Sequence, residues 1–273
     1  FMRKFVFVSL FLLIFLMLSP VGFSQLAPNV PRNETLIANI LTGRIVAPDN
    51  FNSWTSSWIT PDRGIQQLML EPLWIVDPAT GKVINALAAS APQYSDDFKT
   101  LTIKLRSGCY WSDGVEITAD DLIYHIELAK SNPAMAYHAS FQEVDKVTKV
   151  DKYTVRITLK EPNARFHTYF LDRWGACRPL PKHIFEKVKD PASFTFNPPV
   201  SSGPYVVDSY DPGGYWILWK RRDDWQRTPT GKLFGMPQPK YVLFYYAGPT
   251  EKQVLAINNN QLDMADLTME GLR

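Results

Sequence analysis

Residues 105–122 read LRSGCYWSDGVEITADDL, and this stretch decides how the rest of the chain is read. Ser112-Asp113-Gly114 is a tight turn, with Gly114 supplying the positive φ that such turns require. A helix then starts at Thr118, whose hydroxyl can cap the amides of the first turn. Asp120 and Asp121 sit where the helix dipole favours anions, and Leu122, Ile126 and Ala129 recur on one face. Half-buried strands flank this unit. Leu101, Ile103 and Leu105 alternate with polar residues before it, as do Tyr153, Val155, Ile157 and Leu159 after it.

Working outward, residues 36–45 could hold a first buried strand, and residues 48–62, PDNFNSWTSSWITPD, form a loop rich in Asn and Ser with two Trp. A short helix is expected over 64–70, then a strand, a turn from Asp77-Pro78 through Gly81, and a second strand. Past Glu161-Pro162 the chain is loop-rich to about residue 199, with a short helix over 182–188. Asp211-Pro212-Gly213-Gly214 joins two strands, 205–210 and 215–220, as a hairpin. The apolar run at 240–246, helical spacing over 250–258 and a short apolar segment at 262–265 predict a strand–helix–strand crossover and a parallel pair.

The first 24 residues have the shape of an export signal. Arg3 and Lys4 precede an apolar run from Phe5 to Leu18, which is short of the roughly 20 residues needed to cross a bilayer. Pro20 breaks that run, and small Gly22 and Ser24 place a cleavage after Ser24; an uncleaved anchor is the alternative. No Cys lies nearby to carry a lipoprotein anchor. Phe1 ahead of Met2 suggests a translated fragment. The chain has 29 Lys and Arg against 27 Asp and Glu, and the excess is Arg3 and Lys4 alone. A balanced remainder without a basic cluster argues against nucleic acid as a partner. Cys109 and Cys177 are the only cysteines, and in an oxidising compartment they are either a disulfide or two isolated buried thiols.

Catalytic signatures are sparse. His125, His138, His167 and His183 show no zinc-site spacing, so no metal is indicated. Ser201-Ser202-Gly203-Pro204 lacks the leading Gly of a nucleophile elbow, and neither phosphate-binding glycine motif is present. The acidic pairs Asp120/Asp121 and Asp223/Asp224 are adjacent in sequence, whereas glycosidase carboxylates face each other across a bond, roughly 5 to 10 Å apart. They read as a helix start and a solvated turn. No catalytic residue and no cofactor are assigned, and the chain is read as not an enzyme.

The stretch 105–122 resembles the signature of the extracellular solute-binding proteins of family 5, the peptide/nickel-type receptors of ABC importers. Further segments resemble that family in its own order: LEPLW at 70–74, the Thr80-Gly81-Lys82 turn, PLPKHIFEKV at 179–188, SSGPYVV at 201–207, KRRDDW at 220–225 and NNNQLDMA at 258–265. Pro72 where a Gly is usual, Cys109 at a normally aliphatic site and Asn260-Gln261 in place of Gly-Glu are departures. The resemblance implies an α/β, periplasmic-binding-protein-like two-lobed fold of the large three-domain type. Family members look about twice as long, so only the N-terminal lobe and accessory domain are expected here. The implied division is a signal peptide at 1–24, first-lobe segments at 25–75 and 174–270, and an accessory domain at 76–173. The implied function is capture of oligopeptides by hinge closure and delivery to an ABC permease in the membrane, as a periplasmic or extracellular monomer. An oligosaccharide receptor of the same family is the alternative, since PRNETL at 31–36 and APDNFNSW at 47–54 somewhat resemble its sugar-binding branch. Nickel or haem receptors and a secreted hydrolase are more remote.

Candidate ligand-binding residues are Asn52, Trp54 and Trp58, because Trp on an Asn/Ser-rich loop offers a stacking face beside hydrogen-bonding groups. Packing against their own lobe is the alternative. By resemblance to oligopeptide receptors, Tyr137 and Phe141 sit where a ligand-contacting aromatic lies. Trp111, Trp216, Trp219 and Trp225 belong to shared strand and turn motifs and read as structural. Mass spectrometry of the exported protein is expected to find Gln25 at its N-terminus; retention of residues 1–24 would favour the uncleaved anchor.

Overall fold

The computed structural model describes residues 28–41, 43–55, 64–172 and 176–265. The expected signal segment and Trp58 lie outside these residues.

The alternating pattern around residues 100 and 155 folds as the sequence predicts. β5 (Thr100–Lys104) and β7 (Thr154–Leu159) pair antiparallel, with Leu101 opposite Ile157 and Ile103 opposite Val155. All four side chains are buried, each stabilising the fold by about 1.5–3 kcal/mol relative to exposure. β4 (Gln93–Tyr94) and β6 (Val144–Lys149) complete this sheet in the order β4-β5-β7-β6. Strand β6, VDKVTK, was not evident in the sequence. It is an edge strand, and its lysines are what such an edge tolerates.

Helix α1 (Ala119–Ser131) packs against β6 and β7 with Leu122, Ile126 and Ala129 buried. Its start is a capping box: the Thr118 hydroxyl accepts from the Asp120 amide at 3.3 Å, and the Asp121 carboxylate accepts from the Thr118 amide at 2.9 Å. The other Asp121 oxygen accepts from the Lys182 amide at 3.1 Å, tying α1 to the distant short helix Lys182–Phe185.

A second sheet contains β1 (Thr35–Asn39), β9 (Tyr205–Tyr210), β10 (Trp216–Arg221) and β11 (Tyr241–Tyr245), in the order β1-β11-β10-β9. The β9–β10 hairpin turns at Asp211–Gly214 as expected. The crossover differs in detail. After β11 and the helix Thr250–Asn258 the chain returns at Met264, which bridges parallel to Ala38 rather than to β11. β1 also pairs parallel with β11, so it lies between the two arms of the crossover. It is apolar enough to be covered by both neighbours, and Asp263 fixes its place by accepting from the Ile37 amide at 2.7 Å.

A third, small sheet links the other two. β2 (Trp74–Val76) pairs antiparallel with β3 (Val83–Asn85) and parallel with β8 (Leu171–Asp172), so residues near 75 and 172 lie side by side. The expected helix over 64–70 is a single π-helical turn, Ile65–Met69, closed by the Leu70 amide on the Ile65 carbonyl at 3.1 Å. Gly64 opens it at φ 91°, where a Cβ would stand 2.6 Å from Trp219 Nε1, so only glycine fits.

Arg222 joins these parts. Its side chain is buried just beyond β10. Nη1 donates to the carbonyls of Tyr110, Ser201 and Gly203 at 3.1, 3.0 and 3.3 Å, and Nη2 to that of Trp111 at 3.3 Å. Nε and Nη2 also donate to the Asp224 carboxylate at 2.8 and 2.9 Å. Beside this fork, Ser112 and Ser201 exchange two hydrogen bonds, of 2.8 and 2.9 Å. Arg222→Met is expected to cost at least about 3 kcal/mol in urea denaturation, because several buried carbonyls lose their donor together. Arg222→Lys is expected to recover less than half, since an ammonium has no fork; a neutral Met variant would show that water replaces the guanidinium.

Candidate functional site

Between the loop after β1 and the segment after α1 lies a cleft of about 470 Å³. Ser53 and Trp54 form one wall, with Gln66 from the π-helical turn and Leu70 just after it beside them. The facing wall is Pro133 and the run from Met135 to Ser140, which includes the start of α2 (His138–Phe141). Ala176, Cys177 and Arg178 close the back. The walls meet through the backbone: the Ala136 amide donates to the Trp54 carbonyl at 2.8 Å, and Thr55 bridges Met135.

The structure brings Trp54 and Tyr137 together on this cleft. Trp54 is only 3% exposed. Its Nε1 donates to the Arg178 carbonyl at 2.8 Å, and the rings of Phe185 and Phe196 meet it at steep angles, with centroids 5.2 and 5.6 Å away. It is a firm wall rather than an open stacking platform. Tyr137 is half-buried and has φ 64°, a left-handed conformation unusual for a bulky side chain. Such strain, of order 1–3 kcal/mol, persists only where the surroundings impose it. Here the backbone joint at Ala136 precedes it, and its ring stacks on Phe141 at 6.0 Å and 26°. Burial also raises the Tyr137 phenol above its ordinary range, so the hydroxyl stays protonated.

Asn52 and Phe141 lie behind these surfaces. The Asn52 amide nitrogen donates to the carbonyls of Pro191 and Phe194 at 2.8 and 2.9 Å, and its oxygen accepts from the Trp54 amide at 3.2 Å, so it holds the loop in shape. Phe141 is fully buried, stacked also on Phe170 at 5.9 Å. Gln66, Cys177 and Arg178 border the cleft without being ligand-binding candidates in the sequence.

Under the back wall, Cys177 Sγ lies 3.6 Å from Nδ1 of His125, and both residues are buried. Both cysteines are free thiols, so the two isolated thiols, not the disulfide, describe the structure. Burial pushes the Cys109 thiol up to about 12 and the Cys177 thiol well above its ordinary value, so neither is a thiolate at neutral pH. Desolvation drives His125 down to about 3, against a hydrogen bond to the Arg178 backbone carbonyl that works the other way. On His138, Nδ1 faces the Ala129 carbonyl at 2.8 Å; a carbonyl only accepts, so Nδ1 carries the proton. Among the described residues no three His, Cys, Asp or Glu side chains are grouped to hold a metal ion.

The buried imidazole gives a pH dependence with a definite sign. Between its ordinary value of 6.5 and about 3, the unfolded chain binds a proton at His125 that the folded chain refuses. Stability is therefore lost as pH falls through this window, by about 1.4 kcal/mol per pH unit from this group. Comparison of denaturation at pH 6 and pH 4.5 is expected to show a shallower slope in His125→Asn than in the parent. Equal slopes would mean that His125 is protonated in the fold.

Residues 82–272 match the family model described as bacterial extracellular solute-binding proteins, family 5 middle. A probable peptide-binding protein, YejA, from Agrobacterium fabrum is 26% identical over 184 residues, which are 65% of this chain and 29% of that protein. Among solved structures, a periplasmic oligopeptide-binding protein from Thermotoga maritima, with mannohexaose bound, superposes with a TM-score of 0.77 at 24% identity, covering 88% of this chain and 43% of that one. The oligopeptide-binding protein AppA from Bacillus subtilis, in complex with a nonapeptide, gives 0.68 at 23% identity, covering 84% and 43%. These likenesses show the α/β fold of periplasmic binding proteins, of which this chain spans less than half. With the family model matching most of its length, the chain belongs to the bacterial extracellular solute-binding proteins of family 5.

Proposed function

We propose that this chain supplies the first wall of a non-enzymatic oligopeptide receptor that works outside the cytoplasm. The receptor closes about its hinge and hands its cargo to an ABC permease in the membrane. The division into first-lobe segments at 25–75 and 174–270 around an accessory domain at 76–173 belongs to the same proposal, as do a cleaved signal at 1–24 and a monomeric state.

The cleft carries this reading. It is walled by two segments far apart in sequence, joined edge to edge by backbone hydrogen bonds, with hydrogen-bonding groups set among apolar ones: Gln66, Ser53, Ser140 and Tyr137 beside Leu70, Met135 and Ala176. A mostly apolar concave surface with a few polar groups is how proteins hold organic ligands. Oligopeptide is favoured over oligosaccharide by the aromatic geometry. Sugars stack on an open ring face, but Trp54 is buried and wedged between Phe185 and Phe196. The oligosaccharide reading rests on the resemblance of residues 31–36 and 47–54 to a sugar-binding branch, beside the mannohexaose bound by the Thermotoga protein, a likeness at 24% identity.

The test is thermal shift followed by calorimetry on the complete receptor, with defined tetrapeptides and with mannohexaose. Tetrapeptides at about 100 times their Kd are expected to stabilise it by roughly 2.7 kcal/mol. Tyr137→Ala is expected to weaken that binding about tenfold or more, through lost contact area and a released wall. Stabilisation by mannohexaose alone would move the receptor to carbohydrate, and turnover of either compound would make it a hydrolase.

A further inference from the structure

The back wall of the cleft holds a cation whose hydrogen bonding is incomplete. Arg178 is 3% exposed and borders the cleft. Its guanidinium has five N–H donors in a planar fork. Nη1 donates to the Ala176 carbonyl at 3.1 Å and Nη2 to the Asp172 carboxylate at 2.6 Å, while the buried Nε finds no acceptor. A buried donor without a partner is costly, and more so on a charged group.

The surroundings sharpen the point. Among the described residues lining the cleft, Arg178 is the permanent cation and none is Asp or Glu. Asp172 pairs with Arg178 at 2.6 Å from outside the lining and takes one of the five donors, leaving the others free of any carboxylate of the cleft itself. Glu71, the other carboxyl close enough to feel Arg178, is fully buried and accepts from the Thr230 amide at 3.1 Å. The Tyr137 phenol and the Cys177 thiol on the lining are neutral. The back wall therefore presents a cation with unused donors to a lining that carries no carboxylate.

We propose that Arg178 is the anchor for a carboxylate of the bound ligand, which makes the cargo an oligopeptide recognised through an anionic group. This rests on the oligopeptide reading and goes beyond it by naming the chemistry recognised and the residue that does so. The guanidinium matches a carboxylate in two parallel N–H···O bonds, stronger than bonds to a peptide carbonyl or a sugar hydroxyl. Two sources supply that carboxylate: the peptide's C-terminus and an acidic side chain.

Calorimetry on the complete receptor separates them. One arm compares tetra-alanine as the free acid and as the C-terminal amide; the other compares Ala-Glu-Ala-Ala amide with Ala-Gln-Ala-Ala amide. In at least one arm the anionic member is expected to bind about tenfold tighter or more. That ratio is expected to fall to about one in Arg178→Gln, with the affinity of the neutral member little changed. Equal affinities within both arms would overturn the assignment and leave the oligopeptide reading standing, as would a preference that survives in Arg178→Gln. No binding of any of the four peptides, with mannohexaose bound, would overturn both. Should the Gln variant fail to fold, Arg178→Lys decides. It keeps the charge and loses the fork, so the ratio is expected to drop severalfold, and an unchanged ratio would overturn the assignment.

Discussion

The buried guanidinium of Arg222 is the constraint around which the rest is arranged. Its planar fork holds carbonyls from two segments about ninety positions apart, Tyr110 and Trp111 on one side and Ser201 and Gly203 on the other. The SDG turn and the segment leading into β9 are thereby fixed to each other, with the Ser112–Ser201 exchange beside them. Because the Ser201 hydroxyl also donates to the Met69 carbonyl at 2.7 Å, the same joint reaches the π-helical turn that borders the cleft. A single cation thus relates the sheet behind the Tyr137 wall to the sheet behind the Trp54 wall. Asp224 keeps that cation paired, and the Arg222 hydrogen bond holds the Asp224 carboxyl below its usual range.

Local patterns were legible in the sequence wherever one residue type has one cheap conformation. Gly114 takes φ 87°, Thr118 caps its helix, and the alternation at Leu101 to Leu105 and Val155 to Leu159 gives two buried faces in register. What stayed hidden depends on partners remote in sequence. Strand β8 is two residues long and exists because β2 lies beside it. The π-helical turn at Ile65–Met69 has an ordinary helical composition, and nothing in its five residues marks the wider closure of the Leu70 amide on the Ile65 carbonyl. The place of β1 between the crossover arms is invisible in its five residues, since periodicity tells which face is buried but not which strand covers it.

The cleft was legible in part, and for a similar reason. Trp54 stood out on its Asn/Ser-rich loop and Tyr137 by resemblance, and both border the cleft, but a single sequence could not separate a residue that lines a wall from one that supports it. Asn52 and Phe141 have the composition of contact residues and the positions of braces. Arg178 lies in the loop-rich stretch that follows Glu161-Pro162 and belongs to no candidate motif. The signal available was the charge itself: an Arg amid small and apolar residues needs a partner, and the structure satisfies it only partly.

The position of β1 has a consequence for how the protein is made. Its backbone partners are Tyr241–Tyr245 and Met264, and the Asp263 hydrogen bond to Ile37 spans 226 positions. A ribosome or a translocation channel delivers residues 35–39 long before anything that can pair with them. The sheet therefore closes only after the crossover has emerged, and loop closure over such a span makes this a late and slow event. Until then the first strand has no native partner to fold onto.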